Sequence, residues 1–358
     1  MALLHIEKLT VRFGGLIAIS NVDMHVDAGE ILSVIGPNGA GKTTLFNAIT
    51  GVYDPTAGRI HFRGSETLRP MNWRSWQRLV EVTVVCAVLA FLCLHLDALW
   101  ERGINANFVY GQAFVWGSLP PAWRAWARET GLLRLWLPVV LGAGVGLAAA
   151  VTLWRRTRRT PDVIARLGIV RSFQNARLFP EMTVLENVLV GQDAHLRAGF
   201  FDALLRLPRH WREERQARDQ AQRLLELVGL GAHAQQPASA LAYGNQRRLE
   251  IARALAARPQ LLLLDEPAAG MNPNEVGGTM DLIRRIRDSG VTVMLIEHHM
   301  KVVMGISDRV VVLDHGEKIA EGTPAEISHD PRVIEAYLGQ PHVAGVPAPA
   351  VAGGTEGA

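Results

Sequence analysis

The segment Gly36-Pro37-Asn38-Gly39-Ala40-Gly41-Lys42-Thr43 limits what this chain can fold into more than any other stretch. It follows the pattern Gly, four residues, Gly-Lys-Thr, between an apolar strand, Ile31–Ile35, and a helix opened by Thr44, Leu45 and Phe46. Gly36, Asn38, Gly39 and Gly41 shape a loop whose backbone N–H groups converge on phosphate oxygens, with the positive end of the helix dipole behind them. Lys42 is expected to neutralise the outer phosphates, Thr43 to offer its hydroxyl to Mg2+, and Thr44 to complete the phosphate cradle at the helix start. An idle glycine-rich turn would not need that flanking strand and helix.

Leu261–Leu264 supplies the other half of the site. It is an apolar run suited to a buried strand, and Asp265-Glu266 follow at its carboxyl end, where open α/β sheets place ligands. Asp265 is expected to hold Mg2+ through water. Glu266 is expected to polarise the attacking water, since phosphoryl transfer needs little beyond positioning and charge stabilisation. Strands and helices alternate around these residues: strand-like Gly168–Phe173, helical Phe200–Leu227 closed by Gly229, helix Gln246–Ala257, helix Glu275–Asp288 and strand Val291–Ile296. The pattern predicts an α/β domain with a mainly parallel, buried sheet.

At the start of the chain Leu9, Val11 and Phe13 alternate with Thr10 and Arg12, as in a strand, and residues 1–15 lack the order of a signal peptide. The main body is therefore expected in the cytoplasm. A net charge of +3 gives no footprint for nucleic acid. The 358 residues fit one large domain plus an extra module. With 49% hydrophobic and 20% charged residues the chain is more apolar than an ordinary cytosolic enzyme, and the excess is concentrated in residues 71–160. Cys86 and Cys93 lie in that stretch; on one helix they would stand ~10 Å apart, too far for a disulfide.

Beyond the phosphate loop, the chain resembles the ATPase subunits of ABC transporters. Leu241-Ala242-Tyr243-Gly244-Asn245-Gln246 precedes a helix and has the form of that family's signature motif, with Ala242 replacing serine and Asn245 replacing glutamine. The resemblance implies that Ala242 and Gly244 contact the γ-phosphate of ATP held by a second ABC ATPase subunit, in a homo- or heterodimer. It also makes Gln174 the glutamine that senses Mg2+ and the γ-phosphate, and His298 the switch histidine, with His299 as a neighbour. Ala269-Gly270-Met271-Asn272 resembles the loop after the catalytic carboxylate, with Asn272 where aspartate is common. Phe13 stands where the family stacks an aromatic on adenine; it reads equally well as a strand core residue. The implied fold is a P-loop ATPase domain with a helical subdomain, and the cofactors are ATP and Mg2+.

Three strings, LAYGNQRRLEIAR, DEPAAGMNP and Phe173–Val190, together with the ending AEGTPAEISHDPRVIEAYLG, resemble the branched-chain amino acid (Liv-type) importers. Urea and amide importers are the nearest alternatives, and a soluble non-transport ABC ATPase is a third. An importer implies membrane permease subunits and, indirectly, a periplasmic or extracellular solute-binding protein. The chain then divides into ATPase parts at 1–70 and 161–322, an insert at 71–160, a Liv-type segment at 323–340 and a disordered tail at 341–358.

The insert has two apolar runs. Leu135–Trp154 is twenty residues without a charge, ~30 Å as a helix and enough for a bilayer core. Val82–Leu96 is fifteen residues, reaching Trp100 only across His95 and Asp97. Arg69, Arg74 and Arg78 precede the pair and Arg155, Arg156, Arg158 and Arg159 follow it, which puts both outer flanks in the cytoplasm. Trp100, Trp123, Trp126, Trp136 and Trp154 read as interfacial anchors. The expectation is a hairpin anchored in the membrane through residues 79–100 and 132–154; the competing reading is a buried hairpin in a soluble subdomain.

Overall fold

The computed structural model describes residues 2–67, 73–108, 110–111, 116–156, 159–172, 178–192 and 208–338. Gln174 and the tail at 341–358 lie outside these. The chain divides into two compact units, Met1–Thr67 with Thr160–Ala358, and Leu68–Arg159.

The strands of the first unit are β1 (Ala2–Phe13), β2 (Leu16–Asp27), β3 (Ile31–Ile35), β4 (Ala57–Phe62), β5 (Ser65–Glu66), β6 (Ile169–Arg171), β7 (Leu261–Asp265), β8 (Thr292–Ile296), β9 (Arg309–Asp314) and β10 (Glu317–Gly322). They form a six-stranded sheet ordered β10-β9-β3-β8-β7-β6 and a four-stranded sheet ordered β2-β1-β4-β5. The larger sheet is parallel except at β10, as predicted. The smaller is antiparallel and was not separated out from the sequence.

Every residue of β3, β7 and β8 is buried, because both faces of the parallel sheet are covered. Alternation along each strand sorts the side chains. Leu262, Leu264, Val293 and Leu295 pack with Leu249 and Leu255 of the helix Tyr243–Ala256 and Leu282 and Ile286 of the helix Pro273–Asp288. Leu261, Leu263, Met294 and Ile296 face Leu45, Phe46 and Ile49 of the helix Lys42–Ile49 and the antiparallel sheet. Each such side chain contributes ~1.5–3 kcal/mol by leaving water.

The helices Tyr243–Ala256 and Pro273–Asp288 start a few residues earlier than the periodicity suggests, and at the second a cap sets the start. Asn272 accepts from the N–H groups of Asn274 at 3.1 Å and Glu275 at 3.0 Å, and the Glu275 carboxylate accepts from Asn272 N–H at 3.0 Å. With Pro273 in the first turn, this capping box gives Asn272 a structural role.

Among the described residues the second unit contains three α-helices, Trp73–Gly103, Leu119–Thr130 and Leu132–Arg156; the middle one was not foreseen. The outer two run antiparallel along a seam of small residues. A Cβ on Gly142 would lie 2.6 Å from Ala90 Cβ, and one on Gly146 would lie 2.8 Å from Cys86 Cβ. Both cysteines are free thiols, as expected. Trp126 is not placed as an anchor: it is 6% exposed, edge-on to His95 and Phe91 at 5.2 and 6.5 Å, because the middle helix folds back onto the first. Trp100 and Trp136 are exposed. Among the described residues two helical stretches, Trp76–Asn107 and Leu132–Trp154, are long and apolar enough to cross a membrane, and only 11% and 17% of their most apolar parts are buried.

Candidate functional site

Because β8 lies between β3 and β7, with Val34 and Asp265 both opposite Ile296, the loops leaving these three strands emerge side by side. They carry Gly36, Glu266 and His298. This is the carboxyl edge of a parallel sheet, where ligands of such sheets bind.

The phosphate loop closes through its glycines. Gly36 has φ 152° and a Cβ there would lie 2.1 Å from Leu313 O; Gly41 has φ 96° and a Cβ would meet Ala18 O at 2.6 Å. Lys42 Nζ donates to Gly36 O at 2.7 Å and Pro37 O at 2.8 Å, bracing the loop. Burial lowers the Lys42 pKa, opposed by the charges of Glu266 and Asp265. A cavity of about 500 Å3 is lined by Phe13, Asn38, Gly39, Gly41, Lys42, Thr43, Thr44 and Glu266, with Ile17 and His315 in addition. Phe13 is 43% exposed there, so it is not a core residue, and Tyr53 stands edge-on to it at 4.9 Å.

Asp265 ends β7 and is 3% exposed. Arg171 Nη2 donates to Asp265 Oδ2 at 2.5 Å while Nη1 donates to Asn47 Oδ1 at 2.5 Å, so one guanidinium joins the carboxylate to the helix behind the phosphate loop. Its planar fork serves two acceptors at once. The Thr43 hydroxyl and Asp265 carboxylate are hard oxygen donors that suit Mg2+. Among the described residues no group of three or more His, Cys, Asp or Glu could hold a metal.

Glu266 adopts φ 48°, a left-handed backbone rare for a residue with a side chain. His298 Nδ1 lies 3.6 Å from Glu266 Oε1, and the His299 ring stacks on it at 4.4 Å. His299 stands at the N-cap position of the helix Met300–Ile306, with no side-chain cap bond.

Ala242 and Gly244 do not line this cavity. Ala242 is the N-cap of the helix Tyr243–Ala256 and has no side-chain cap bond, while Gly244 lies so close to Glu275 that a Cβ would be 2.8 Å from its Oε1.

Four residues were missed from the sequence. Arg171 is a lone cation ending a short buried strand. Tyr53 follows a turn. Glu297 is a carboxylate closing an otherwise apolar strand. Tyr337 lies on the helix Pro331–Leu338, and burial raises its pKa against the opposing pull of the Gly36 backbone. Only Arg171 and Glu297 gave a signal, a charge where apolar patterning predicts none.

A family model described as ABC transporter matches residues 19–89 and 153–269, and one described as branched-chain amino acid ATP-binding cassette transporter matches residues 317–343. The chain is 40% identical over 339 residues to the high-affinity branched-chain amino acid transport ATP-binding protein LivG of Salmonella typhimurium, covering 94% of this chain and 98% of the relative. It is 38% identical to the corresponding protein BraF of Pseudomonas aeruginosa, with the same coverage. A solved ATP-binding cassette of an ABC transporter in its ADP conformation superposes with TM-score 0.62 at 24% identity, covering 95% of this chain and 100% of that one. That last likeness bears on the fold alone.

Proposed function

The chain belongs to the ABC transporter family, and on that premise we propose that it is the ATP-hydrolysing subunit of an importer for branched-chain amino acids. The observation that carries this reading is the near full-length 40% identity to a LivG protein together with the match at residues 317–343. The nucleotide is ATP.

The geometry supports specific roles. Lys42 and the loop at 36–41 hold the phosphates, and Phe13 faces the base. Thr43, Asp265 and Gln174 are the proposed contacts of Mg2+, which would neutralise charge on the β- and γ-phosphates. Glu266 orients the attacking water, and His298 beside it contacts the γ-phosphate. Ala242 and Gly244 lie outside the cavity of their own chain, which supports their completing the site of a second ATPase subunit. Permease subunits and an external solute-binding protein are the remaining proposed partners.

We place the first unit on the cytoplasmic face of the cell membrane and the insert in the bilayer through residues 79–100 and 132–154. The outward apolar faces support this, since helices buried in a soluble core would hide them. The test is uptake by proteoliposomes containing this subunit with its permease, partner ATPase and binding protein. ATP-dependent accumulation of leucine, isoleucine or valine is expected. Accumulation of urea or amides with none of leucine would replace the substrate assignment.

A further inference from the structure

Glu297 closes β8 between the two turns that carry Glu266 and His298, and its side chain is 0% exposed. Its Oε1 accepts from the N–H of Ala268, two residues beyond Glu266, at 3.0 Å. Its Oε2 accepts from the N–H of His298 at 3.2 Å, and the N–H of His299 approaches the same oxygen at 3.5 Å. One carboxylate thus fastens the backbone after Glu266 to the backbone of His298.

An acid buried to this degree is costly unless backbone donors compensate it. Burial raises its pKa, against the pull of Ala268, His299 and His298. An apolar residue would fill the space without that cost. The carboxylate instead bridges donors on two separate loops with a fixed span, and the same two loops bring His298 Nδ1 to 3.6 Å from Glu266 Oε1.

We propose that Glu297 is a positioning residue that holds the water-orienting Glu266 and the phosphate-contacting His298 at their working separation. This rests on the roles proposed for those two residues. Glu297→Gln keeps the shape and one acceptor but turns an N–H2 group toward one of the backbone donors, which pushes the two turns apart. Glu297→Asp keeps the acid and withdraws it by one methylene.

The experiment uses the full-length chain assembled with its permease. ATP turnover is measured for wild type, Glu297→Gln, Glu297→Asp and Glu266→Gln, with binding of a fluorescent ATP analogue and the melting temperature measured in parallel. We expect kcat to fall at least tenfold in both Glu297 variants while KM for ATP and analogue binding stay within twofold. If Glu297→Gln does not fold, Glu297→Asp decides. Turnover within twofold of wild type overturns the proposal. So does a loss of kcat matched by equal loss of nucleotide affinity and melting temperature, the mark of a merely structural acid. If Glu266→Gln turns over normally, it is the assignment of Glu266 that fails, and the wild-type rate shows that separately.

Discussion

The parallel sheet and the inserted helices are built from the same apolar residue types, yet they dispose of them in opposite ways. In β7 and β8 every leucine, valine and methionine is buried by layers of the same unit on both faces. In the helices Trp73–Gly103 and Leu132–Arg156, glycines and alanines meet at the seam while Val85, Leu89, Leu141 and Val145 face outward. A protein-lined core selects large side chains inside. A pair that faces lipid, as proposed for the insert, would select small ones inside, since chain-to-chain contact there gains nothing from expelling water. The contrast teaches that apolar content alone does not say which solvent a segment was made for; the direction of its large residues does.

The contrast can be broken or sharpened by substitution. The largest expected effect falls in the sheet unit: Glu266→Gln should lower ATP turnover by ~10²–10⁴-fold with nucleotide binding retained, measured by phosphate release and equilibrium binding. It should leave membrane association of the insert untouched. Next is Leu263→Ala in the fully buried β7, expected to cost ~2–5 kcal/mol in a denaturant titration of the ATPase unit. Leu141→Arg, at a side chain 59% exposed, tests the insert directly. Facing lipid, the arginine should cost ~2.5–3.5 kcal/mol and shift the chain toward the soluble fraction on membrane flotation. Facing water, it should change stability by no more than ~0.5 kcal/mol, which would end the membrane reading. The smallest effect is expected for Asn272→Ala, which removes a helix cap worth ~1 kcal/mol and should lower the melting temperature slightly.

Much of the site was legible because its parts are local. The phosphate loop is contiguous, and its glycines are required by φ angles that only a short stretch needs to satisfy. Asp265 and Glu266 follow an unbroken apolar run, and His298 stands one residue past the end of another, Val293–Ile296. What the sequence does not carry is the lateral order of the strands. Nothing local to Leu261–Leu264 says that β8 intervenes between it and β3, and that order decides which loops meet. Arg171 escaped for the same reason: its two acceptors, Asn47 and Asp265, lie 124 and 94 residues away. In the insert, Trp126 read as an anchor because its burial depends on a short amphipathic middle helix, Leu119–Thr130, that folds back onto the first.

The left-handed backbone at Glu266 carries an evolutionary cost. Holding a side-chain-bearing residue in that conformation gives up ~1–2 kcal/mol that glycine, and in part asparagine, would return. A laboratory selection that rewards heat resistance alone should therefore drift toward replacing this glutamate. On the role proposed for Glu266, it would enrich tougher molecules that no longer hydrolyse ATP, because fitness and durability would pull in opposite directions at this one position.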